Sequence, residues 1–395
     1  MISRSRTRLA AAFALLAALV TGCANFTSEA APASWSPTPT LVPENAPAPA
    51  QPGANGGTGG SGSGSSGGGG TPTSVPPPQG CKDFNPDVIA TCLDTVTAVA
   101  VLPGSTTDPV VLAAQRDGQI VKVHDQVTTP VASVAVDGTG DGGLTGLAIS
   151  PSYVTDQLIF AYITTPTDNR VVRIAAGQAP KPILTGIPRG ASGNHGALAL
   201  DHTGALLVAT GDAGNPALAA NPASLAGKVL RIDVDGTAAQ GNPAAGSAVI
   251  ASGLADPGGV CGSLDGSTLW VTDRTTTADA LYRIHPGQPL GTAAWNWPDK
   301  PGVAGCAAFT GSVMVVTSTA GNVQTIALNV DGSFNGTPQV GMTGSQGFGK
   351  LAGVDILSAS SAVAGTVNKA NGTPVSSDDR VVIISGAAAT GPGRD

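Results

Sequence analysis

The sequence predicts an all-β fold, a six-bladed β-propeller preceded by a signal peptide and a disordered linker. Short β-rich runs joined by tight polar turns recur about six times, at a spacing of about 45 to 60 residues that suits a four-stranded blade. The chain carries 55 glycines and 31 prolines but only 11% charged and 4% aromatic residues, which favours turns and short strands over helices. Beyond the first residues, no run of helical periodicity exceeds about ten residues.

The elements follow in order. Arg4, Arg6 and Arg8 give a positive start, and no acidic residue precedes Cys23. The apolar run from Leu9 to Val20 is too short to span a bilayer but suits the core of a signal peptide. It ends in Val20-Thr21-Gly22-Cys23, which resembles a bacterial lipobox, so residues 1–22 read as a lipoprotein signal peptide and Cys23 as the lipidated residue. Several acyl chains would hold the protein stably at the cell membrane, on its extracytoplasmic side. Residues 23–80 are Pro-, Ala-, Ser-, Thr- and Gly-rich, with Glu29 and Glu44 as their acidic residues. Such a segment buries too little apolar surface to offset its ordering entropy, and reads as a lipid-anchored, disordered tether.

Residues 81–395 hold the propeller. Runs such as PVVLAAQ-RDG-QIVKVH, and the two halves of ALALDHTGALLVATGD, are joined by Asp-Gly or Thr-Gly turns, where glycine tolerates positive φ and aspartate bonds its own backbone. The repeating units start near Val99, Leu144, Ala197, Gly259, Ala307 and Leu351. A β-sandwich is the alternative, but sandwiches rarely need so many strands. Four cysteines follow the anchor, an even number that suits disulfides in an exported chain; proximity favours Cys81–Cys92, which leaves Cys261–Cys306. Removing the three leader arginines takes the formal charge from −7 to −10, an acidity that argues against nucleic acid as a partner.

The segment from Gly140 to Pro151, GDGGLTGLAISP, resembles a signature of the glucose/sorbosone dehydrogenase family of soluble quinoproteins. A longer match runs from Gly193 to Gly236, through GNHGALALDHTGALLVATGDAG and LAGKVLRIDVDG, and Trp295-Asn296-Trp297-Pro298 gives a weaker third. TPTDNRVVRI and WPDKPGVAGCAA also resemble the LppZ type of actinobacterial lipoprotein.

The family resemblance implies a six-bladed propeller binding pyrroloquinoline quinone and calcium on one face and oxidising a sugar hydroxyl. It implies that His195 is the base that takes the hydroxyl proton and Asp212 the carboxylate that orients it. An imidazole can accept a proton at neutral pH, and a carboxylate fixes its tautomer and steadies the cation formed. It also places Asp141, Asn194, Asp256 and Lys350 at cofactor-binding positions, with departures: the family has glutamine at Asp141, an acidic or similar residue at Asn194, Arg-Asn at Ala255-Asp256, and Arg-x-Arg at Lys350-Leu351-Ala352. Cations are sparse around these positions, with Lys228, Arg231, Arg274, Arg283, Lys300 and Lys350 between Gly196 and Ser360. His124, His202 and His285 read as structural, and Asp233-Val234-Asp235-Gly236 as a hairpin turn rather than a calcium loop. Two functions remain open: a quinone-dependent sugar dehydrogenase, and a non-catalytic propeller that binds a glycan or a protein at the cell surface.

Overall fold

A computed structural model of the chain describes residues 75–385. The signal peptide, Cys23 and nearly all of the tether lie outside them. No helix among the described residues is long and apolar enough to cross a membrane.

Six four-stranded antiparallel sheets follow one another along the chain. Their innermost strands are Val96–Val101, Leu144–Ile149, Gly196–Leu200, Pro257–Gly262, Val303–Phe309 and Leu351–Ile356, so each expected blade start falls within an innermost strand. Blades one to five are built from consecutive strands. Blade six takes three strands from the C-terminal end of the chain and its outermost one, Val88–Ala90, from before blade one. This pairing, Val88 with Val382 and Ala90 with Val381, closes the ring.

Closure follows from where the apolar surface lies. The buried apolar residues fall into clusters that each join neighbouring blades: Leu112 and Ile120 of blade one pack with Leu144 and Ile163 of blade two, and Val363 and Val381 of blade six pack with Val99 and Val111 of blade one. A blade exposes two apolar faces, and only a closed ring covers both on every blade.

Both expected disulfides form. Cys81–Cys92 fastens the segment before the closing strand, and Cys261–Cys306 joins the innermost strands of blades four and five. Of the histidines read as structural, His124 bonds Asp108 at the surface, 2.9 Å from its carboxylate. Asp233 to Gly236 form a turn, with Gly236 N donating to the Asp233 carbonyl at 2.9 Å.

Candidate active site at the polar mouth

The loops leading into the innermost strands of blades two, three and four converge at one end of the central tunnel. Asp141 lies three residues before the inner strand of blade two, while His195 and Asp256 immediately precede those of blades three and four. His195 Nδ1 lies 2.8 Å from Asp256 Oδ1 and 3.5 Å from Asp141 Oδ2. The imidazole is thus bracketed by carboxylates from the loops on either side of its own, and all three side chains are partly exposed.

Each carboxylate is itself held. Asn194 donates from Nδ2 to Asp141 Oδ1 at 2.7 Å and from its backbone N to Oδ2 at 3.2 Å. Asp141 and Asn194, both departures from the pattern the resemblance implies, thus bond one another. Arg274 Nε donates to Asp256 Oδ2 at 3.0 Å. Asp273, one residue earlier on that strand, accepts from the backbone N of Asp256 at 2.7 Å and fixes the loop that carries it. Thr145 clamps the base of the histidine loop, its Oγ1 donating to the Gly196 carbonyl at 3.0 Å and accepting from Gly196 N at 3.1 Å. Gly196 must lack a side chain, because a Cβ there would lie 2.3 Å from the buried Tyr162 ring.

The charges are coupled. Burial disfavours the His195 imidazolium, but Asp256, with Asp141 beside it, outweighs burial and the nearby Arg274 charge, so the pKa is raised above its ordinary value. Burial likewise raises Asp141 and Asp256, yet His195, joined at Asp256 by Arg274, leaves both below the usual carboxylate range. Burial pushes Asp273 up to about 6.

Asp212 does not orient His195. Its Oδ1 accepts from Gly214 N at 2.7 Å, turning the carboxylate into its own loop. The connection is through backbone: Gly211 N donates to the His195 carbonyl at 3.0 Å, and Asp212 N to the Ala255 carbonyl at 2.8 Å. The partner the resemblance assigned to Asp212 is Asp256, on the neighbouring blade. Lys350 belongs to the loop leading into blade six at this same end, but its side chain is not part of the cavity wall. Its backbone N donates to Asn368 Oδ1 at 2.7 Å.

His195, Asp141 and Arg274 line a cavity of about 220 Å3, together with Arg116 and the hydroxyl-bearing Thr97 and Ser318. Arg116 was not singled out by the resemblance. It follows the second strand of blade one, and its Nε donates to the Gly142 carbonyl at 2.9 Å, bracing the Asp141 loop. Asp141, His195 and Asp256 also place one ligand atom each within 4.8 Å of one another, the one such group of three metal-ligating side chains among the described residues.

Comparison with known proteins agrees with this architecture. A family model described as glucose/sorbosone dehydrogenase matches residues 93–301. A Streptomyces coelicolor aldose sugar dehydrogenase, solved in its form with bound pyrroloquinoline quinone, shares 27% identity at a TM-score of 0.70, over 79% of this chain and 99% of that one. A putative oxidoreductase (glucose dehydrogenase) from Thermus thermophilus shares 26% identity at a TM-score of 0.68, over 75% of this chain and 98% of that one. The soluble aldose sugar dehydrogenase of Escherichia coli, at 16% identity and a TM-score of 0.62 over 75% of this chain and 98% of that one, supports the fold. No curated protein matches the sequence. With over half of its length matched by the family model and its blades in the same arrangement, the chain belongs to the glucose/sorbosone dehydrogenase family.

Proposed function

We propose that the polar mouth oxidises a sugar hydroxyl, with His195 as the base and a quinone as the hydride acceptor. One observation carries this reading: Nδ1 of His195 is committed to Asp256, which leaves Nε2 as the nitrogen available to a ligand in the cavity the ring lines. The carboxylates keep the ring in one tautomer and steady the imidazolium that forms when it takes the hydroxyl proton.

Pyrroloquinoline quinone carries three carboxylates, so its site needs positive charge and donors free to bind them. The mouth supplies the positive charge through Arg274 and through Arg116 in the same wall. Arg274 faces Asp256 through both Nε and Nη2, each 3.0 Å from Oδ2, and Arg116 donates from Nε and Nη2 to carbonyls of the Asp141 loop, so each brings charge to the cavity from a fixed position. The charge of these guanidiniums would hold the cofactor, while the Thr97 and Ser318 hydroxyls, which donate to the Leu144 and Gly302 carbonyls, would accept from a sugar hydroxyl. For calcium, which takes oxygen ligands, Asp141 and Asp256 are the carboxylates within reach. When bound, the quinone supplies a two-electron acceptor for the hydride.

The test is to titrate the purified protein with the quinone and calcium while following absorbance and melting temperature, then to measure dye reduction with a panel of aldoses. Ligand at a hundred times its dissociation constant stabilises a fold by about 2.7 kcal/mol, and a thermal shift is expected. His195→Ala should retain that shift and lose turnover by about 10²–10⁴-fold. No shift and no turnover would retire the enzyme and favour a propeller that binds a glycan or protein. That second reading is supported by Lys350 lying outside the cavity wall and by Arg116 donating to carbonyls of its neighbouring loop.

The reading extends to location. Cys23 would tether the propeller to the extracytoplasmic face of the cell membrane. Cys23→Ser should move the protein from the detergent phase to the aqueous phase in detergent partitioning, and retention in the detergent phase would refute the anchor.

A further inference from the structure

The opposite end of the tunnel has a different chemistry. Beyond a waist of about 30 Å3 at Gly146, Gly259, Gly305 and Gly353, the tunnel widens into a funnel of about 490 Å3. Val101, Ile149, Leu200, Val260 and Ile356 contribute to its wall, and Leu264, 75% exposed, stands at its rim. This volume lies within the ~300–1,000 Å3 usual for small-molecule sites and far above the ~30 Å3 share of one water. Its polar side chains are Asp201, His202, Ser263 and Asp355, set among apolar ones, whereas the polar mouth carries two guanidiniums.

The funnel wall contains no lysine or arginine, and its charge is unevenly compensated. Asp201 is neutralised by Arg231, whose Nε lies 2.6 Å from its carboxylate. Asp355 accepts only backbone donors, Val101 N at 2.7 Å and Ile356 N at 2.9 Å, and has no ion pair among the described residues. Burial without a facing cation pushes Asp355 up to about 6. An apolar wall with one uncompensated carboxyl suits a ligand with a hydrocarbon body and a cationic donor head.

We propose that the funnel is a second ligand site, independent of the polar mouth, that takes a small amphiphile with an apolar body in the tunnel and an amine head on Asp355. A hydrocarbon chain would be sheltered by apolar side chains from several blades, and its ammonium would supply the charge that Asp355 lacks.

Calorimetric titration of the full-length protein with n-octylamine, n-octanol and n-octanoate tests this, because these probes differ only in the head group. The expected result is saturable one-to-one binding of the amine, about tenfold tighter than the alcohol, which corresponds to about 1.4 kcal/mol, with the carboxylate weakest. Asp355→Asn should bring the amine and the alcohol to similar affinity. Ile149→Trp, which fills the funnel from a half-buried wall position, should abolish binding of all three while melting cooperatively. His195→Ala should leave octylamine binding unchanged. Absence of saturable amine binding, equal affinity for the three heads, survival of binding in a folded Ile149→Trp protein, or its loss in His195→Ala would each overturn the proposal. If Asp355→Asn fails to fold, the head-group series and Ile149→Trp still decide it.

Discussion

His195 takes its chemistry from residues distant in sequence. The resemblance found the histidine because GNHG is a local string, but it assigned the ring's partner to Asp212, at the far end of the same hairpin. The partner is Asp256, 61 residues away, because the loops leading into successive blades meet at the tunnel mouth. A partial signal was present: His195-Gly196 and Asp256-Pro257 each place a polar residue directly before an inner strand. The pairing has a pH consequence. Since the carboxylates raise the His195 pKa, the free base should predominate only above the ordinary value of about 6.5. Sugar oxidation should therefore rise with pH through that raised value. Asp256→Asn should move the limb to lower pH and reduce the maximal rate, whereas Asp212→Asn should leave the limb in place. A pH–rate profile of the three proteins checks this. The stability contribution has the opposite course: it is fully present below the unfolded pKa and is lost as pH rises through the folded one. The gap in melting temperature between the wild type and His195→Ala should accordingly narrow as the pH is raised.

At the scale of strands and turns, the sequence is read most easily where chemistry is local. Asp265-Gly266 and Asp331-Gly332 mark hairpins because the aspartates accept from the backbone N of Ser267 and Ser333, at 3.0 and 2.9 Å, while the glycines take positive φ. The closing strand Val88–Ala90 was not legible, since three apolar residues show no periodicity and their partners lie near the other end of the chain. The Cys261–Cys306 bridge was legible because proximity pairs Cys81 with Cys92 and leaves these two, each near the start of a blade unit. It closes a loop of 45 residues, for which chain entropy gives about 4 kcal/mol of stabilisation. Reducing it should lower the melting temperature and leave the quinone-dependent shift intact, because both cysteines lie away from the polar mouth. Scanning calorimetry with and without reductant, on a protein also carrying Cys81→Ala and Cys92→Ala, isolates this bridge. An unchanged melting temperature would show that the neighbouring sheets are held by packing alone.

A propeller is stable only as a closed ring, and here closure depends on a buried charge cluster as well as on three residues of strand. Arg380, just before the third strand of blade six, is almost fully buried. Its Nη1 lies 3.1 Å from Asp83 Oδ2, its Nε 2.8 Å from Asp378 Oδ1, and its Nη2 donates to the Phe348 carbonyl at 3.0 Å. Ser377 adds a hydroxyl donor to Asp83 at 2.9 Å. One guanidinium thus ties the segment leading into the closing strand to both ends of the last blade. Removing one partner of a buried ion pair leaves an uncompensated charge and costs about 3–5 kcal/mol. Arg380→Ala strands two carboxylates and should have that effect, while Asp83→Asn keeps a hydrogen-bonding side chain and should cost less. The site of the damage separates closure from general destabilisation. If Arg380 acts as a latch, amide hydrogen exchange in Arg380→Ala should rise first in Val88–Ala90 and in its partner strand Val381–Ser385, before the innermost strands of blades two to four. Uniform acceleration across all blades would mean that Arg380 contributes to the core without controlling the seam.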